Sequence, residues 1–327
     1  MKRIQINVED AYYHCSNTTA FQATCLNEDA RSVFVSILNK VAGFCGVSVV
    51  TYCVMENHFH LLIKVPKQQL RENVTDSDLV RRFRLLYGDE NTRYMPITAN
   101  DLEKLLNDGG ELGEQWRKLL KSRMHDLPMF MKLLKQRFSK WYNATYRTKG
   151  TLWSERYSSI LLEPSAKIIG QVACFIDLHA VSEGLVEHPE DYVFCGFSRI
   201  FRGDYAHAEA LIDGLKLKRG VMSKVLMRYE ALLYNFVDIK PKSSRKKVLA
   251  EFLESERKTL HNAWMGAFDD SRIDLVLVLL NGIIYGSYVF VEANAQWIAK
   301  HLGRKLPGRC SHLSEDVWTL NRRLKQH

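Results

Sequence analysis

Two histidines one residue apart, His58 and His60, sit in the segment Val54-Met55-Glu56-Asn57-His58-Phe59-His60-Leu61-Leu62-Ile63. In an extended strand alternate side chains leave the same face, so both imidazoles project to one side while Phe59 anchors the other. Two nitrogen donors on a rigid strand make half of a divalent-metal site. The same spacing also arises on a strand whose polar face merely carries two histidines, so the flanking residues matter. Residues 47–54 are β-branched and alternating, and Met55-Glu56-Asn57 is a short polar break. The pair therefore falls at the start of a hairpin's return strand, inside a sheet.

The elements that must hold this strand follow from the pattern around it. Residues 11–18 read as a first strand, and Asn27 is placed to cap a helix running to about Cys45. Val33, Phe34, Ile37, Leu38 and Val41 recur along that helix at helical spacing and make one apolar face. The order strand, helix, strand, His-bearing strand predicts an α+β fold, an antiparallel sheet with helices packed on one face.

The chain has 327 residues, 46% of them hydrophobic, enough for a substantial core and two domains. A formal net charge of +9 favours an anionic partner, nucleic acid first, with anionic lipid attracted by the same charge. The apolar stretch 273–284 contains Asp274 and Asn281 and is too short to span a membrane; it reads as a buried helix. No membrane partner is expected, and the first ten residues lack the apolar core of a signal peptide, which makes the cytoplasm the expected compartment. Seven cysteines, an odd number without a Cys-x-x-Cys pair, suggest neither a disulfide framework nor a zinc knuckle.

From 67 to about 128 the sequence turns to charged helical segments, 76–87 and 101–123, broken by Gly88, Gly109, Gly110 and Gly113, and reads as an insertion. Residues 129–143 form an amphipathic helix with cations among aromatics. Such a helix either snorkels its cations over a core or turns them toward phosphates, and the net charge of the chain favours the second. A glycine turn at Gly150 leads into a short apolar element, then a helix over about 164–181. Beyond Gly203 the residues predict a mainly helical accessory region, 204–327, with a basic linker at 240–247. Its tail cations Arg304, Lys305, Arg309, Arg322, Arg323 and Lys325 either contact phosphates or stay solvated.

Three blocks in order then resemble a known family. Residues 52–62, the pair Phe138-Ser139-Lys140-Trp141-Tyr142-Asn143 and Gly150-Thr151-Leu152-Trp153-Ser154-Glu155-Arg156-Tyr157, and residues 175–186 resemble the IS200-like tyrosine transposases, in particular their repeat-palindrome-associated relatives. The resemblance covers about 11–203, and 286–292 is more loosely similar to the C-terminal part of larger family members. It implies a ferredoxin-like nuclease domain of the HUH class over 1–203, usually dimeric, that acts on single-stranded or hairpin DNA. It also implies Mg²⁺ or Mn²⁺ held by His58, His60 and a third polar residue, with a helix-borne tyrosine attacking a DNA phosphate to give a tyrosyl-DNA intermediate.

The third block departs from the family pattern Tyr-Ile-x-Leu-Asn-Pro-Val-Arg-Ala-Gly. Phe175 stands at the nucleophile position and His179 at the asparagine position. Four residues apart on a helix, the two share a face, so His179 is either turned toward His58 and His60 as a third imidazole or simply the polar end of that helix. Ala180, Ser182 and Glu183 depart as well, a cluster that points to divergence rather than one engineered exchange. Lys132, Lys135, Arg137, Lys140, Arg147, Lys149 and Arg156, on and just after the basic helix, are the cations expected to face DNA, and Tyr142, Tyr146 and Tyr157 are the tyrosines nearest by motif that could replace the missing nucleophile. Three functions stay open: strand cleavage and rejoining, DNA binding without chemistry, and a hydrolytic nuclease whose three histidines hold an ion that activates water.

Overall fold

The computed structural model describes residue 6 and residues 9–20, 23–89, 95–217, 222–236, 242, 282–302, 310–314 and 317–321. Its centre is a sheet in the order β2-β3-β1-β4-β5-β7-β6. The first four strands are β1 (Ala11–Thr18), β2 (Ser48–Val54), β3 (His58–Val65) and β4 (Ser158–Leu162). They pair antiparallel, with Ser16 opposite His60 and Thr18 opposite His58. Three strands from the C-terminal region, β5 (Gly282–Gly286), β6 (Cys310–Ser314) and β7 (Val317–Asn321), continue the sheet, β5 joining β4 in parallel.

The helices cover both faces of the sheet rather than one. Period-two alternation explains this: Phe59 and the two histidines leave β3 on opposite sides, and both sides are apolar or buried enough to need cover. On the Phe59 side lie α1 (Glu28–Cys45) and α5 (Leu127–Tyr146). Asn27 caps α1 by accepting from the Ala30 N–H, and Gly46 ends it in the left-handed region at φ 65°, where glycine carries no steric cost. Phe34 from α1 packs on Phe59 at 4.9 Å between ring centroids and on Phe138 of α5 at 5.1 Å, with Trp153 beside Phe59 at 5.3 Å. We expect Phe34→Ala to cost about 3–5 kcal/mol, read as a lowered urea midpoint with unchanged slope. A loss under about 1 kcal/mol would mean that this cluster does not hold the face together.

The insertion forms α2 (Asp76–Tyr87), α3 (Ala99–Asn107) and α4 (Glu111–Ser122). The helical segment expected over 101–123, broken by glycines, forms two helices parted at Gly109, whose φ of 66° suits a glycine turn. Gly113 lets α4 approach α3 closely, since a Cβ there would lie 2.3 Å from the Leu105 carbonyl oxygen. Arg117 of α4 grips both carboxylate oxygens of Asp76 at 2.8 Å and ties the insertion together.

On the histidine side lie α6 (Ala166–Asp177), α7 (His179–Ser182), α8 (Gly196–Phe201), α9 (Ala208–Gly214) and α10 (Met222–Phe236). The helix expected over 164–181 is interrupted at Leu178, which leaves α7 a separate turn. A further helix, α11 (Tyr288–Leu302), follows β5. Of the apolar stretch 273–284, residues 282–284 belong to strand β5 rather than to a helix, and 273–281 lie outside the described residues. Its pairing with β4 is non-local, which periodicity within a short apolar run does not reveal. Among the described residues Cys15, Cys25, Cys45, Cys53, Cys174 and Cys195 form no disulfide, and five of them are buried. No helix among the described residues is long and apolar enough to cross a membrane.

Candidate metal centre and nucleic-acid interface

Strand pairing and one short helix bring three imidazoles together. His58 and His60 leave β3 on one face, and His179 arrives from α7, so that one ligand nitrogen from each lies within 4.8 Å of the others. His58 Nε2 and His179 Nε2 are 2.7 Å apart, and the His60 and His179 ring centroids 4.6 Å. The Asn57 amide oxygen accepts from His58 Nδ1 at 2.6 Å, which leaves His58 Nε2 its lone pair. His179 Nδ1 is buried with no hydrogen-bond partner.

A fourth imidazole stands behind these. His14 of β1, 1% exposed, places Nε2 2.9 Å from His60 Nδ1, the two rings stacked. If His60 Nδ1–H donates to His14, its Nε2 is left as a donor atom for an ion, the usual way a neighbour fixes a ligand's tautomer. Sequence reading missed His14, because a lone histidine in an apolar strand gives no spacing signal and only the cross-strand register puts it behind His60.

Phe175 closes the site. Its ring lies 5.5 Å from His60, 5.5 Å from His179 and 6.1 Å from His14. The four-residue spacing therefore does place position 175 over the histidines. Its helix is held by a second feature absent from the sequence reading, the buried carboxylate of Asp177. Thr51 Oγ1 donates to it at 2.6 Å, the Phe197 N–H at 3.1 Å and the Tyr229 hydroxyl at 2.5 Å, tying α6 to β2, α8 and α10. Gly196 permits the close approach, since a Cβ there would meet Thr51 Oγ1 at 2.3 Å.

Burial keeps the four rings neutral. It pushes His14 down to about 3, helped by His179, and His179 down to about 4, helped by His58. His60 falls well below its ordinary value through burial and then its three neighbours, while His58 is lowered by burial against the pull of Glu183. Neutral imidazole is the form that binds metal. Unfolded histidines take up protons near pH 6.5, and the folded rings do so only further down, so stability falls as pH drops from 6.5 toward 4. Asp177 works in the opposite sense, because burial lifts its carboxyl to about 6 and its cost eases on acidification. With four rings against one carboxyl, the melting temperature is expected to fall over this range. A flat or rising profile would mean that the rings are charged in the folded chain.

The donor set can be compared with the ions it would hold. Three imidazoles without a carboxylate suit a borderline transition ion, and suit Mg²⁺, which prefers oxygen, poorly. The residues present therefore fit a divalent ion of the Mn²⁺ to Zn²⁺ kind.

The expected DNA-facing residues divide into two groups. Lys135, Lys140 and Arg156 line one cleft of about 590 Å³ with Trp153, on the α5 side of the sheet. Lys135 also donates to the Glu155 carbonyl at 3.0 Å, 5.6 Å from the Trp153 ring. Arg137 instead lies over the Tyr87 ring at 4.6 Å. Lys132 and Lys149 are exposed and do not line that cleft, and Arg147 ends α5 with φ 53°. Tyr142 and Tyr146 are on the far face from the histidines, their hydroxyls donating to the Cys25 carbonyl and to Asn27, and Tyr157 is buried. Of the 240–247 linker, Lys242 is described and pairs with Asp191 at 2.7 Å. The six tail cations from Arg304 to Lys325 lie outside the described residues.

Comparison with known proteins bears on the first part of this site. Residues 7–84 match the family model of IS200-like transposases. The matched stretch, about a quarter of the chain, carries His14, His58 and His60, and ends before Phe175 and His179. The resemblance to IS200-like transposases thus holds over the His-bearing strands. Among curated proteins none matches the chain. A solved structure of a REP-associated tyrosine transposase bound to a REP hairpin is similar over 63% of this chain and 88% of that one, at 13% identity and a TM-score of 0.35.

Proposed function

We propose that this chain is an IS200-like transposase relative that binds single-stranded or hairpin DNA as a homodimer, holds a divalent transition ion at His58, His60 and His179, and forms no tyrosyl-DNA link. The observation that carries the reading is Phe175, set against the His60 and His179 rings where the family resemblance calls for a tyrosine. A bound ion would polarise a scissile phosphate and offset charge on the leaving oxygen. The rest of the site then positions without attacking. Asn57 and His14 orient His58 and His60, while the Phe175 ring excludes water from one side and offers no hydroxyl. The DNA partner is supported by the net charge of +9, by the cleft around Lys135, Lys140 and Arg156, and by the family match.

Calorimetric titration tests the ion directly. Mn²⁺ should bind at least about tenfold more tightly than Mg²⁺, because nitrogen donors discriminate against the harder ion. Equal affinities, or none for either, would remove the metal from the proposal. A second reading, hydrolysis without a covalent intermediate, is favoured by the all-imidazole donor set. It predicts nicked DNA free of protein, lost in His58→Ala; intact DNA after prolonged incubation with Mn²⁺ would exclude it.

A further inference from the structure

The cleft beside Trp153 does not end on α5. A second cleft of about 420 Å³ adjoins it between α5 and the insertion, walled by Tyr87, Arg123, Arg137 and Trp141. Gln136 and Lys140, one helical turn apart on α5, line both, so the two clefts are neighbours that meet along this helix and together make a trough-like surface. Its charge is lopsided, since among the described lining residues Glu155 is the single carboxylate, against five cations. Two guanidinium groups fix the Tyr87 ring: Arg137 lies over it at 4.6 Å, and Arg123 donates to its hydroxyl at 3.1 Å. Trp141, stacked on Phe138 at 5.7 Å, keeps part of its indole at the surface. A cationic trough with immobilised aromatic rings is how proteins follow a single strand, phosphates on the cations and bases on the rings.

We propose that the insertion supplies the second half of a single-stranded DNA track, with the strand flanking a hairpin running from the Trp153 cleft across Lys140 into the Tyr87–Trp141 cleft. This rests on the DNA-binding reading above and adds what the insertion is for. Arg123 and Arg137 serve the phosphates there, and Trp141 stacks on a base. Sequence reading gave the insertion no role, because Tyr87 and Arg123 lie on two different helical segments and meet α5 only in the folded chain.

The test compares a blunt DNA hairpin with the same hairpin carrying a single-stranded flank, by fluorescence anisotropy across a salt series. The flank should tighten binding by the wild-type chain. Arg123→Ala should weaken the flanked hairpin about fivefold to tenfold, lower its salt slope by about 0.7, and leave the blunt hairpin unchanged. A wild-type readout independent of folding is photo-cross-linking from 4-thiothymine placed in the flank, with the adduct expected on the peptides carrying Tyr87 or Trp141. Hairpin binding that ignores the flank, or cross-links confined to other peptides, would overturn the track and leave the DNA-binding reading standing. Absence of binding to either DNA would overturn both.

Discussion

Phe175→Tyr is expected to convert a chain that binds DNA without attacking it into one that yields a protein-linked DNA band when Mn²⁺ and a cognate hairpin are supplied. The ring of Phe175 already sits within 5.5 Å of His60 and His179, so the added hydroxyl enters the space beside the imidazoles without moving a helix. Phe175 is only partly buried, so the polar atom costs little stability. A phenol with a pKa near 10 is a weak nucleophile at neutral pH, and a polarised phosphate is what makes its attack feasible. For that reason the double change with His179→Asn belongs in the same experiment, since it restores the third block's pattern at both positions. If neither variant forms the link while both still bind DNA, the altered residues around Ala180 block the step, and the binding-only function gains. Tyr142 and Tyr146 are no substitute, because their hydroxyls are engaged on the other face of the sheet.

His60→Ala is expected to weaken Mn²⁺ binding by about 100-fold or more, whereas His14→Ala, which removes only the partner of His60 Nδ1, should weaken it by about 10- to 100-fold. The order of the two effects carries the test. His60 is a candidate ligand and His14 acts through it, so a larger loss at His14 would exchange their roles. Thermal unfolding of each variant separates lost affinity from lost fold, since both rings are almost fully buried.

What the sequence disclosed and what it hid follow a physical division. The strands over 11–18, 48–54 and 58–65 and the helix capped by Asn27 were legible because alternation, helical spacing and capping are local signals. The site was legible in two ways: the one-residue gap marked His58 and His60 as a pair, while Phe175 and His179 were picked out only by the family resemblance. His14 and Asp177 were not legible, because each acquires its partner through pairing across the sheet or between distant helices. The same holds for β5, β6 and β7, short strands whose reason to be extended is the edge that β4 offers them. The cation-rich helix was half legible. Its composition announced a basic face, but only the packing shows that Lys135, Lys140 and Arg156 share one cleft while Arg137 turns to Tyr87.

Whether the chain binds DNA without joining it is read most directly with the unaltered chain, end-labelled hairpin DNA and Mn²⁺, split between a native gel and a denaturing gel. A retarded complex is expected on the native gel and, after denaturation, no label travelling with the protein. Label that stays with the protein through denaturation would mean that another residue supplies the nucleophile, and would contradict binding without joining.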